Sequence, residues 1–125
     1  MQALRRLIST VVAVSLAACS SSTPSSTVDA FYHFIEAGKY DQAFACFSTQ
    51  TRAVFPAEKA KPMMAEQSEK QKAGGGIESI AFSNEKVTGE AASITAATTL
   101  GNGKTTSENI DLVREDGKWL IAVKK

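Results

Sequence analysis

Residues 92–123, ASITAATTLGNGKTTSENIDLVREDGKWLIAV, decide the fold. Ala92, Ile94, Ala96, Thr98 and Leu100 alternate with small and polar residues. Thr106, Glu108, Ile110 and Leu112 continue the pattern, with Val113 on the other face, and Trp119, Ile121 and Val123 alternate with Lys118, Leu120 and Ala122. A period of two belongs to strands, whose successive side chains point to opposite faces. Gly101-Asn102-Gly103 and Asp116-Gly117 are hairpin signals, because tight hairpin turns require positive φ. Just upstream, Ile80 and Phe82 alternate with Ser79, Ala81 and Ser83, and Thr88-Gly89-Glu90 is a softer turn. The spacing predicts four strands in an antiparallel meander.

Working back toward the N-terminus, Gly74-Gly75-Gly76 separates this region from one of period 3.6 and reads as a helix stop and linker. It is not a phosphate loop, since no Lys-Ser/Thr follows and a strand comes next. Val28, Phe31, Tyr32 and Ile35 form one face of a first helix, capped by Thr27 (Ser25 and Ser26 being rivals) and ended by Gly38. A second helix has Tyr40, Ala43, Phe44 and Phe47 on one face and leaves through Ser48–Thr51. A third, weakly amphipathic helix starts at Pro62, which suits a first turn, and should lie outside, held by one edge. The expectation is a segregated α+β domain over 28–125, with three N-terminal helices packed on a curved four-stranded sheet.

Residues 1–18 read as a signal peptide. A basic start with Arg5 and Arg6 precedes an uncharged run, Leu7–Ala18, of 12 residues, too short for the roughly 20 that span a bilayer. Leu16-Ala17-Ala18-Cys19 resembles the bacterial lipobox. That resemblance implies cleavage between Ala18 and Cys19 and a diacylglycerol thioether on Cys19. Ser20, in place of Asp, favours the periplasmic face of the outer membrane by the same resemblance. Residues 19–27 then form the lipidated cysteine and a flexible Ser/Thr-rich tether. With Cys19 used for lipid, Cys46 is expected as a single buried thiol.

The order of elements resembles the nuclear transport factor 2-like superfamily, and within it small bacterial lipoproteins of unknown function. The likeness rests on VDAFYHFIEAGKYDQAF (28–44), the Gly-Gly-Ile entry to the first strand and the closing VREDGKWLI (113–121). It implies a cone in which a curved sheet wraps the helices and leaves a pocket at its wide end. Members include isomerases and dehydratases as well as non-catalytic binding and dimerising modules, so fold likeness does not choose a function.

Composition narrows the choice. Removing residues 1–18 leaves 107, enough for one domain. The whole chain has 14 Lys+Arg against 13 Asp+Glu, and loss of Arg5 and Arg6 makes this 12 against 13, a formal −1. Such a chain has no field to gather nucleic acid. His33, the sole histidine, falls off the apolar face of its helix, as does Asp29. No ligand set for a metal and no cofactor motif are present. Tyr32, Phe44, Met63, Met64 and Trp119 are the candidate pocket-lining residues, each with a core-packing reading beside it. Tyr32 has no assignable acidic partner of the kind an isomerase needs. The expected function is a lipid-anchored envelope domain, bound to the membrane through Cys19, that holds a protein partner or small apolar ligand without catalysis. The alternatives are an isomerase- or dehydratase-like enzyme using Tyr32, and a structural module in which open sheet edges pair in a homodimer.

Overall fold

The first helix begins where a threonine hydroxyl and a proline meet. Thr23 accepts a hydrogen bond from the Ser26 amide at 3.2 Å, and Pro24 occupies the first turn, where its missing N–H costs nothing. The computed structural model describes residues 23–123, so the signal peptide of 1–18, Cys19 and residues 20–22 lie outside the described residues. Element order is α1 (Pro24–Glu36), α2 (Tyr40–Phe44), α3 (Thr49–Val54), α4 (Ala57–Ala73), β1 (Ile77–Thr88), β2 (Ala91–Leu100), β3 (Thr105–Glu115) and β4 (Lys118–Ala122). The helices pack against a four-stranded antiparallel sheet of order β1-β2-β3-β4, the α+β meander expected from the alternation.

Three expected boundaries are corrected. Thr23, and not Thr27, caps α1, so Pro24–Thr27 is helix rather than tether. Thr27 is wholly buried, and its hydroxyl donates to the Trp119 carbonyl at 2.7 Å. Ser48–Thr51 does not merely end the second helix but opens a fourth one. The Ser48 hydroxyl accepts the Thr51 amide at 3.2 Å and caps α3. Pro62 lies inside α4, which begins one turn earlier, where the amides of Lys59 and Ala60 reach the Pro56 carbonyl. Ala60, Met64, Ser68 and Gln71 are the buried edge of α4, spaced as a single stripe.

Asp116 and Gly117 both take positive φ, 52° and 77°, the mirror-image turn that matches strand twist. One core forms from Val28, Tyr32 and Ile35 of α1, Ala60 and Met64 of α4, and Ile94, Leu112, Trp119 and Ile121 of the sheet. Segment 46–48 covers the outer edge of β4. The Ile121 amide donates to the Cys46 carbonyl at 2.7 Å and the Ser48 amide to the Ile121 carbonyl at 2.8 Å. Cys46 is wholly buried and disulfide-bonded, which corrects the single-thiol expectation, and its bonding partner is not among the described residues. Among the described residues no helix is long and apolar enough to cross a membrane.

Candidate functional site

The strand register selects which side chains face the helices. Ala92 pairs with Leu112, Ile94 with Ile110, Ala96 with Glu108 and Thr98 with Thr106. These pairs share one face, and Ile94 and Leu112 lie in the core, so Glu108 and Thr106 point the same way. The inner face therefore changes character along its length. It is apolar at Leu112, Ile110 and Ile94 and polar from Glu108 to Thr106 and Thr98.

Helix α4 packs on α1 and α2, faces this surface across a gap, and changes in the same direction. Its cleft side reads Ala60, Met63 and Met64, then Gln67, then Lys70 and Gln71, at helical spacing. Two cavities, each about 520 Å³, open between α4 and the sheet. The first is mainly apolar, lined by Phe31 and Ile35 of α1, Phe47, Phe55, Met63, Met64, Ile110 and Ile121, with Asn109 and Asp111 of β3 also in its wall. The second has more polar side chains in its lining, Gln67, Lys70, Gln71, Thr98, Asn102, Lys104 and Thr106, although with Leu100, Ala73 and Gly74 most of its wall is still hydrocarbon. Tyr32, Gln67 and Glu108 line both, so the cavities are two ends of one trough divided at that level.

A hydrogen bond marks the level at which the two ends meet. The Tyr32 hydroxyl donates to Glu108 Oε1 at 2.5 Å. Burial, then this bond and the carboxylate's charge, push the Tyr32 phenol well above its ordinary value of 10.0. The phenol is thus held protonated as a donor and is no base at neutral pH. A sign follows for stability. Above pH 10 the unfolded chain loses this proton while the folded chain keeps it, so stability falls as pH rises, by up to about 1.4 kcal/mol per pH unit from this group. We expect Tyr32→Phe to flatten that alkaline decline. Urea unfolding at pH 9 and pH 11 on both proteins measures it, and equal slopes would show that Tyr32 titrates normally.

Tyr32, Met63 and Met64 come together in the trough, with Met63 exposed at its lip and Met64 buried in its wall. Phe44 and Trp119 do not reach it, and their assignment as lining residues is corrected. Phe44 packs edge-on against Phe47, their ring centroids 6.0 Å apart. Trp119 is buried under the Arg114 guanidinium, 5.2 Å from its ring centroid. His33 stays on the exposed side of α1, its Nδ1 donating to the Asp29 carbonyl at 2.9 Å, and neither residue lines the trough. Among the described residues no group of three or more His, Cys, Asp or Glu could hold a metal ion. Sequence reasoning missed Glu108 as the partner of Tyr32. Its signal was the alternation that placed it in line with Ile110 and Leu112.

No curated protein matches the sequence at a significant level. Among solved structures, a candidate NTF2-like transpeptidase from Campylobacter jejuni is similar in fold. Its TM-score is 0.73 at 21% identity, over 82% of this chain and 99% of that one. A SEC-C motif containing protein from Rhodopseudomonas palustris matches with a TM-score of 0.59 at 13% identity, over 83% of this chain and 78% of the other. The helices-on-meander arrangement is thus of the NTF2-like kind. At the level of families, the match runs over residues 17–122 and takes in both walls of the trough, and the chain belongs to the family described as domain of unknown function DUF4878.

Proposed function

We propose that this protein is a lipid-anchored binding domain of the bacterial cell envelope, tethered through Cys19, whose trough holds a small ligand with an apolar part and carries out no chemistry on it. The observation that carries the binding reading is the apolar cavity of about 520 Å³ between α4 and the sheet, within the 300–1,000 Å³ usual for small-molecule sites. Support for the anchor comes from the sequence, the basic start, the short apolar run and Leu16-Ala17-Ala18-Cys19. Helix α1 starts at Pro24, so the four steps from Cys19 to Thr23 span at most about 14 Å, and the domain would stand close to the lipid surface.

A second reading, an acid–base enzyme of the isomerase or dehydratase kind, draws on the Tyr32–Glu108 pair. It is the weaker one, because the phenol proton is directed into the carboxylate rather than toward the cavity. Such an enzyme needs a second acid–base group beside the pair; the polar groups lining the cavity toward Lys70 and Lys104 are otherwise amides, hydroxyls and those lysines, and Asp111 lines the other cavity.

Mass spectrometry of the purified protein tests the proposal. Under denaturing conditions the membrane-extracted protein is expected to lack residues 1–18 and to gain acyl mass, whereas Cys19→Ala does neither. Cys19 is the chain's one cysteine besides Cys46, so the anchor requires Cys46 to be a reduced thiol in the lipidated protein; an intact leader with no acyl mass, or a protein in which Cys19 and Cys46 are joined, would overturn the anchor. Under native conditions a noncovalent small-molecule mass is expected, lost on denaturation. A bare native mass that stays bare after incubation with dodecanol would count against the binding reading.

A further inference from the structure

Both walls of the trough change polarity at the same level, and that coincidence goes beyond a cavity for an apolar molecule. On α4 the change falls at Gln67, between Met63/Met64 and Lys70/Gln71. On β3 it falls at Glu108, between Ile110 and Thr106. From Ala60 to Gly74 the helix runs about 21 Å at 1.5 Å per residue, so the trough is long and graded rather than round. A ligand that fills it has one apolar end and one polar end.

Charge sets the sign of the polar end. Lys70 and Lys104 line it from opposite walls, α4 and the β2–β3 hairpin, and neither has an ion-pair partner among the described residues. The one carboxylate lining that cavity is Glu108, and it sits at the seam with one oxygen taken by the Tyr32 hydroxyl. Asp111 lies at the far, apolar end. Two ammonium groups against one engaged carboxylate favour an anion, as complementarity of charge requires.

We infer that the trough takes a single-chain amphiphile with an anionic head group, its chain among Phe31, Phe55, Met63 and Ile110 and its head between Lys70 and Lys104. The inference rests on the binding reading above and names the ligand class. Carboxylate heads (fatty acids) and phosphate heads (lysophospholipids) share this chemistry. The exposed lip, where Met63 is 56% and Val123 42% accessible, gives the chain its entrance.

Photolabelling of the full protein in lipid nanodiscs tests it, with crosslinked residues mapped by mass. The probes are diazirine-tagged laurate, dodecyl phosphate, dodecanol and dodecyltrimethylammonium. Laurate or dodecyl phosphate is expected to label the lining around Phe55 and Met63 more than dodecanol does, and the stronger of the two identifies the head group. Lys70→Glu with Lys104→Glu should cut anionic labelling roughly tenfold and leave dodecanol labelling unchanged. Both lysines are exposed, so the double variant should keep its fold, with Lys70→Gln/Lys104→Gln as the milder control. Equal labelling by laurate and dodecanol, unmoved by charge reversal, overturns the anionic head and leaves the apolar trough standing. Preferred labelling by the trimethylammonium probe also overturns it. No labelling of the trough by any probe removes the binding reading as well.

Discussion

Trp119→Ala is expected to lower the unfolding free energy by about 3–5 kcal/mol and to leave ligand labelling of the trough unchanged. Trp119 is 3% exposed. It closes the end of the core that the trough does not reach. Its carbonyl receives the Thr27 hydroxyl of α1 at 2.7 Å, and its ring lies under Arg114, itself held by Glu90 through two bonds of 3.2 Å. Truncation leaves a cavity there that neither the strand nor the helix can collapse into, and the cost follows from that rigidity. Urea unfolding measures the stability, and labelling with dodecanol reads the trough in native buffer. A variant that lost labelling while losing under 1 kcal/mol would make Trp119 a wall of the trough after all.

The strands were legible because each signal is local. Alternation over Ala92–Leu100 and Thr106–Leu112 and the turn at Asp116-Gly117 each lie within a dozen residues, and the register then follows. The start of α1 was obscured because Ser20–Thr27 has the composition of a tether. What makes Pro24–Thr27 helix is the Thr23 cap together with burial of Thr27 against Trp119, a contact 92 residues away in sequence. Pro62 misled for a related reason. A proline suits a first turn, but α4 was already nucleated at Pro56 and carries Pro62 on its exposed side. The site divides the same way. That Glu108 faces inward was readable from its place beside Ile110. That Tyr32 would meet it was not, because 76 residues separate them and the pairing exists only once α1 lies on the sheet. The polarity change of the trough was written in α4 and in β3 separately, and neither segment alone says that the two would face each other.

Gly75→Val is expected to cost about 2–4 kcal/mol and to loosen the polar end of the trough selectively. Residues 74–76 read in sequence as a helix stop and linker, a role that would tolerate valine with little loss. In the structure they form a clasp. The Gly101 amide donates to the Gly76 carbonyl and the Asn102 amide to the Gly74 carbonyl, both at 2.9 Å, joining the end of α4 to the β2–β3 hairpin. Gly75 holds φ at +97°, where an L side chain costs about 1–2 kcal/mol and a β-branched one more. A Cβ there would also stand 3.2 Å from the Gly101 Cα, backbone that cannot yield without breaking the two bonds. Gly101→Ala separates the two causes, since its φ is ordinary but its Cβ would lie 2.9 Å from the Gly75 carbonyl oxygen. Lys70 sits one turn before the clasp and Lys104 two residues after it, so the same contact keeps both lysines in the lining of one cavity. Urea unfolding gives the global cost. Hydrogen exchange at the Gly101 and Asn102 amides gives the local one, and it should rise further than exchange in β4. A shift below 0.5 kcal/mol with unchanged exchange would return the segment to a linker, and with it the claim that the hairpin and α4 present their lysines as one site.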